Sequence, residues 1–474
     1  RGRSESYLEC NTSLIPSDFL GILWLLFSSD ALKKHGSINE IIDQSNRFAV
    51  GVAEELRERI YDIVIPLIAK GIIEARNLKQ PTKEDLSFTY EMVITVLFRL
   101  LFIAYAEDRD LLPYKTNENY RKRSLKQKAI ELIKTESRAI SHGSHHWEET
   151  TQLFKAVFYG NKEWSVPAYE GSIFSDNPEV SKVGEEISKI KISNEYFELA
   201  LKGLLLNNSS STSSGPVDFR SLSVREFGTI YESLLESDLS LAKEDLTIDK
   251  KGFYIPLKTK EDNVVIHKNE IYLHDNSGAR KSSGSYYTPD FAVEHLLDKT
   301  LEKALDQHFK KLEKMSDSDK AENFFDFRVA DIAMGSGHFL VAAIDRIEKR
   351  FVNWLEKNPI PGVVRELEYL KQAAKNELGD LVDTFSIDDN QLMKRLIARR
   401  CIYGVDLNST ATQLSKLSIW IHTFVPGLPL SLLDHNLIHG NSLIGVASLE
   451  EIGNKFKEAD GTLFEVDAES LLGQ

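Results

Sequence analysis

The sequence predicts an α + α/β protein: a helical N-terminal domain over residues 1–206, a connector over 207–283, and a doubly wound sheet domain over 284–474. Two observations predict it. Up to about residue 205, apolar residues recur at three- and four-residue spacing with few glycines or β-branched runs. From residue 284 onward, strand-like runs alternate with helical ones, as in a parallel sheet covered by helices. A chain of 474 residues exceeds one ordinary core. Its 42% hydrophobic and 27% charged content is that of a globular chain.

In the first domain the helical spacing runs through residues 48–73 and 90–106, and Pro81-Thr82-Lys83-Glu84 opens a helix with a turn and acidic first-turn residues. Residues 19–27 (FLGILWLLF) are too short to span a membrane, and residues 92–106 are interrupted by Arg99; both read as buried helices, and no membrane partner is expected. Residues 207–216 (NNSSSTSSGP) form a polar, low-complexity boundary segment. A helix over 224–235 follows, then alternating runs at 252–257 and 264–273 that read as a small β-hairpin. Strands are predicted at 327–332 and 401–406, each followed by a helix, at 339–350 and 411–424. Residues 353–399 form a helical insertion broken by Pro359 and Pro361, since a single crossover needs far fewer residues.

Composition narrows the chemistry. The net charge of −14 supplies no global attraction to nucleic acid, so any DNA contact relies on local Lys/Arg patches. Cys10 and Cys401 are the only cysteines, which excludes a disulfide framework or a cysteine-based zinc site and fits a reducing cytoplasm. No metal site is expected.

Four segments carry the candidate chemistry. In Asp331-Ile332-Ala333-Met334-Gly335-Ser336-Gly337, a strand ends in a carboxylate and a glycine-bearing turn leads into a helix, offering free N–H groups to a ligand. A dinucleotide-type loop would place a third glycine where Leu340 stands, and no P-loop pattern occurs. In Tyr403-Gly404-Val405-Asp406-Leu407-Asn408 a second strand ends in Asp406, placed to accept ribose hydroxyls or, equally, to cap the next helix. In Gly440-Asn441-Ser442-Leu443, the Asn441 amide suits an adenine edge, though for this segment alone an Asn in a turn is the better explanation. In Tyr286-Tyr287-Thr288-Pro289, Thr288 reads as a helix cap with Pro at the first helical position.

Taken in order, these segments resemble the amino-methyltransferases of type IIG restriction–modification enzymes and their type I and phage-exclusion relatives. Residues 97–113 (LFRLLFIAYAEDRDLLP) and 228–235 (GTIYESLL) resemble the helical flank of that family. The resemblance implies a Rossmann-like domain that binds S-adenosylmethionine and transfers its methyl group to adenine N6 of duplex DNA. It implies that Tyr287 and Thr288 line the methionine end of the cofactor. Asp331, Ala333, Gly335, Gly337 and Phe339 would form the loop beneath it, with Asp331 near the amino group. Asp406 would hold the ribose hydroxyls, Leu407 would lie against the adenine ring, Asn441 would contact the adenine, and Ser442 and Leu443 would flank it. Ile332 and Met334 replace the family's usual Pro and Cys, which implies a less rigid turn.

The family's base-handling Asn-Pro-Pro-Tyr segment does not occur; the only Asn-Pro pairs are Asn177-Pro178 and Asn358-Pro359. In relatives that segment accepts hydrogen bonds from the amino group of a flipped adenine and stacks on the base. The chain therefore reads as the N-terminal part of a longer enzyme, with no catalytic residue of its own. A nuclease domain or subunit and a target-recognition domain are expected outside it. An RNA or protein methyltransferase, and a cofactor-binding scaffold without turnover, are the alternative readings. Residues 142–147 (HGSHHW) read as an exposed loop, not a ligand set. Residues 121–128 (RKRSLKQK) suit phosphate contact or a solvated helix face equally.

Overall fold

The structure is a computed structural model that describes residues 21–33, 36–134, 143–207, 215–222, 234, 237–250, 252–257, 263–275, 288, 290–379, 387–430 and 435–444. The chain falls into two compact units, Arg1–Leu56 and Arg57–Gln474.

The first unit contains helix α1 (Gly21–Phe27) and most of α2 (Ser37–Arg59). The apolar run expected to be a buried helix is only partly so. Leu26 is buried, whereas Trp24, Leu25 and Phe27 are exposed. A two-turn helix that is apolar all round can bury only one face.

In the second unit, residues Ile60–Val64 form a π-helical turn just ahead of α3 (Ile65–Ala75). Pro66 explains it: the ring lacks an N–H and crowds the carbonyl four residues back, so the ladder widens there. Helix α4 (Lys83–Asp108) opens where the turn and acidic first-turn residues placed it, on a capping box in which Thr82 and Asp85 satisfy each other's backbone N–H. It is long and apolar enough to cross a membrane, yet most of it is buried within the protein. From Leu97 to Asp108 it is buried on every face, enclosed by α3, by α6 (Leu125–Lys134) and by α8 (Lys182–Lys189), with α5 (Glu118–Arg121) leading into α6. Its C-terminal Glu107 accepts from the Leu125 and Lys126 N–H groups and the Tyr120 hydroxyl, anchoring the start of α6. Burial nevertheless pushes the Glu107 carboxyl up to about 7.

His142 lies outside the described residues, but the rest of the His-rich stretch is not simply an exposed loop. His145, His146 and Trp147 begin α7 (His145–Tyr159). Trp147 is buried, packs edge-on to Phe197 of α9 (Asn194–Leu205) and donates to the Ile190 carbonyl. The basic run is split: Arg121, Lys122 and Arg123 are exposed, whereas Lys128 is buried and paired with Glu149, and Lys126 is paired with Asp108. The polar segment after α9 is bracketed by two short strands, β1 (Leu206–Asn207) and β2 (Gly215–Pro216), which pair antiparallel.

The helix expected over 224–235 lies outside the described residues except for Leu234. The two alternating runs that follow do not pair with each other as a hairpin. Strand β3 (Ser237–Leu241) pairs with β6 (Ile271–Asp275), and β4 (Leu246–Ile248) pairs with β5 (Tyr254–Pro256). The pairs are nested, because each downstream run found an upstream partner of matching alternation that the sequence reading left unassigned.

Helices α10 (Asp290–Leu312) and α11 (Asp317–Asn323) precede a parallel sheet of β7 (Val329–Asp331), β8 (Ile402–Asp406) and β9 (Leu437–His439), in that order. The crossover from β7 to β8 runs through α12 (His338–Lys357), α13 (Pro361–Leu378) and α14 (Asp389–Cys401), with the break at Pro359 and Pro361 where the sequence placed it. Pro361 sits at the start of α13, where its missing N–H costs nothing. Cys401, expected in the strand, is the last residue of α14 and is buried. Helix α15 (Ser409–His422) leads away from β8 and packs on α4, so the helical half and the sheet share a core. Tyr169 and Phe102 both lie against Phe424, and Gly171 is bare where the Trp420 ring approaches.

Candidate functional site

The candidate site is built on the C-terminal ends of three adjacent parallel strands, the position where open α/β sheets hold ligands. Register sets it out: Asp331 lies opposite Gly404 on β8, and Asp406 lies opposite His439 on β9.

The turn after β7 is fixed by its backbone. Gly335 and Gly337 adopt φ of +52° and +79°, left-handed values that a side chain resists. The Gly337 N–H donates to the Met334 carbonyl, and the Met334 N–H donates across the sheet to Val405. Met334 itself is buried, and its sulfur fills the space that a Cβ on Gly404 would take. Met334 thus packs the turn against β8.

Asp406 joins two loops. One carboxylate oxygen accepts from the Gly335 N–H at 2.9 Å, and the other from the Asn408 N–H at 2.8 Å. It is not the cap of the following helix. Asn408 has that role, accepting from the Thr410 and Ala411 N–H groups. The third loop is tied in as well. The Gly440 N–H donates to the Asp406 carbonyl, and the His439 ring lies 2.9 Å from the Leu407 carbonyl. Asp331 accepts from the Ala333 N–H at 3.1 Å. Burial raises its carboxyl above the usual range, the Ala333 N–H opposes that, and the Asp406 charge adds to it.

Asp331, Ala333, Gly335, Gly337, Asp406 and Leu407 are brought together by these bonds, and Phe339 follows, half-buried, in the first turn of α12. Asn441 and Ser442 are exposed beyond β9. The Asn441 carboxamide oxygen accepts from the Leu443 and Ile444 N–H groups, so its amide NH₂ is the part left to reach a ligand. Thr288 is half-buried two residues before α10, and Tyr287 lies outside the described residues.

Three contributors were given no role by the sequence alone. Ser415 of α15 donates to the Gly335 carbonyl at 2.7 Å and lies where a Cβ on Gly337 would touch it. Gly404 makes room for Met334, and Asn408 takes over the capping that would otherwise engage Asp406. Only the spacing from Asp406 to the next helix hinted at Asn408.

The strand ends also expose apolar side chains: Ile332 is 59% exposed, Leu407 69%, Leu443 88% and Ile444 77%. No potential metal-holding group of three or more His, Cys, Asp or Glu side chains occurs among the described residues.

The chain is similar to a protein of Methanocaldococcus jannaschii named "Putative type II restriction enzyme and methyltransferase". The two are 22% identical over 410 residues, which cover 75% of this chain and 27% of the relative. The chain thus spans about a quarter of the length of the relative it matches. No protein-family model and no solved structure matches it.

Proposed function

We propose that the chain forms the S-adenosylmethionine-binding part of a site-specific DNA adenine-N6 methyltransferase of a restriction–modification or phage-defence system. The observation that carries the reading is the convergence of three strand-end loops through Asp406, beside apolar side chains that the described chain leaves exposed. Similarity to a restriction enzyme and methyltransferase supports the same class.

The donor set fits the cofactor. No atom lies within 4 Å of where a Cβ on Gly335 would be, so a ligand can lie directly over that backbone. The cofactor supplies an electrophilic methyl group when bound. Asp406 keeps a lone pair on each oxygen beyond its two backbone bonds, and these accept the ribose hydroxyls. Leu407 offers an apolar face to the adenine ring, with Asn441 and Ser442 at its edge. Asp331 holds the cationic amino group, and Thr288 closes the methionine end. The loops are tied in place beforehand, so little ordering is left to oppose binding.

The residues that would grip the target adenine belong to an Asn-Pro-Pro-Tyr segment that this sequence does not contain. The proposal therefore has two arms. Calorimetric titration should give saturable S-adenosylmethionine binding, weakened at least about tenfold by Asp406→Ala, the usual scale for losing a charge-assisted hydrogen-bond pair. The same 474-residue chain should show no methyl transfer to duplex DNA. Binding indifferent to Asp406→Ala would overturn the cofactor assignment, and turnover would overturn the assignment of base handling elsewhere.

A further inference from the structure

Helix α4 buries a positive charge that has no ion-pair partner among the described residues. Arg99, 3% exposed, donates Nε to the Ile173 carbonyl at 2.7 Å and Nη2 to the Ser175 carbonyl at 3.1 Å. The Phe154 and Phe174 rings lie 5.3 and 6.0 Å from its guanidinium carbon. Among the described residues no carboxylate comes within ion-pair distance, and Nη1 has no hydrogen-bond partner. Asp176 acts on it only through space and is itself bonded by the Tyr159 hydroxyl. Burial lowers the guanidinium to about 9, so it stays charged at neutral pH. Two carbonyls and two ring faces are thin compensation, because a desolvated charge costs several kcal/mol unless an opposite charge meets it.

Arg99 also lines a cavity of about 120 Å³. Lys155, Lys189 and Lys191 share that lining, as do Thr151 and Ser188. Two carboxylates, Glu148 and Asp176, stand against these four cations. Lys191 is held by Glu148, and Lys189 by Glu185 and Glu186 outside the lining. Lys155 is exposed and has no ion-pair partner among the described residues. The space far exceeds the roughly 10–15 Å³ that one water needs, and falls well short of the about 300 Å³ of a drug-sized site. It suits one small polar group, not a nucleoside.

We propose that this pocket binds a single phosphoryl group, whose oxygens meet the Arg99 guanidinium inside and Lys155 at the mouth. Guanidinium favours oxyanions because its N–H groups match their geometry, and a tetrahedral anion accepts from several sides at once. The group comes either from free phosphate or from a DNA backbone. The inference does not rest on the methyl-transfer reading, since no residue of the strand-end site takes part.

Titration of inorganic phosphate into the full chain at constant ionic strength tests it. Saturable binding is expected, weakened about tenfold or more by Lys155→Glu, a reversal at an exposed position that leaves the circular-dichroism spectrum and melting temperature unchanged. Arg99→Lys, which keeps the charge and loses the fork, should weaken binding too. A short DNA duplex that displaces phosphate from the native chain, and does so less well from Lys155→Glu, marks the backbone as the source; a duplex without effect marks free phosphate. Absence of saturable phosphate binding, or binding indifferent to Lys155→Glu, would overturn the assignment.

Discussion

Helix α4 and the strand ends of the parallel sheet handle misplaced groups in opposite ways. In α4, charged side chains are inside: Arg99, Glu107 and Asp108 are all buried. Glu107 and Asp108 are met by the protein's own groups, N–H groups and a hydroxyl for Glu107 and the Phe219 N–H and Lys126 for Asp108, whereas Arg99 has two carbonyls and no carboxylate at ion-pair distance among the described residues. At the strand ends apolar side chains are outside, and the described chain does not cover them. A buried polar group satisfied by its own fold is a structural device. Apolar groups clustered on the exposed rim of a sheet are a surface kept for something else to cover.

That contrast can be broken by substitution, most severely in the helical half. Trp147→Ala should cost about 3–5 kcal/mol in a denaturant melt, because it removes a fully buried ring and the hydrogen bond to Ile190. A cost under about 1 kcal/mol would show the helical core to be loosely packed. Gly404→Ala should cost about 1–3 kcal/mol by overpacking, since the new methyl meets the Met334 sulfur. It should also weaken S-adenosylmethionine binding by displacing the turn that Met334 anchors. An unchanged affinity would detach that turn from the cofactor.

A smaller effect is expected at Asp345, where α12, α14 and α15 meet. Its carboxylate lies 2.6 Å from His422 Nε2 and 2.7 Å from Lys394 Nζ. Burial alone would raise this carboxyl, but the hydrogen bond from His422 and the charges of His422 and Lys394 outweigh it and hold it down to about 2. A folded value below the unfolded one gives stability that is complete above about pH 4 and lost as pH falls toward 2. Asp345→Asn should therefore cost about 1–2 kcal/mol at neutral pH, reduced from the fully buried case by partial solvent screening. The gap from the native chain should close in acid; a gap constant from pH 6 to 2.5 would refute the pairing as its source. The smallest change belongs to Leu407→Ser. With its side chain 69% exposed, stability should stay within about 0.5 kcal/mol while cofactor affinity falls about fivefold. A marked loss of melting temperature would mean that Leu407 serves the fold and not a ligand.

Local signals were readable where neighbours in sequence do the work. The Thr82–Asp85 capping box, the two prolines that divide the crossover and the glycines after β7 each act within a few residues, so their residue types announce them. Signals failed where the partner is distant. The runs at 252–257 and 264–273 looked like partners because they are adjacent, yet the second holds β6, whose partner β3 lies well upstream, and the first is left to pair with the nearby β4. The His145–Trp147 stretch looked solvated because its composition is polar, yet Trp147 is anchored by Ile190 and Phe197.

The sequence by itself determined where the strands end in carboxylates and where the backbone must turn left-handed. Those are properties of single residues and short periods, set by sterics and by apolar alternation. Only the tertiary structure decided what those carboxylates touch. Asp406 could have capped its own helix; Asn408 does so instead, and Asp406 accepts from Gly335, 71 residues earlier. Ser415 and Met334 entered the site, and Arg99 and Lys128 went inside, for the same reason. Whether a polar group is buried or paired depends on which distant surfaces close around it, and no window of neighbouring residues contains that information.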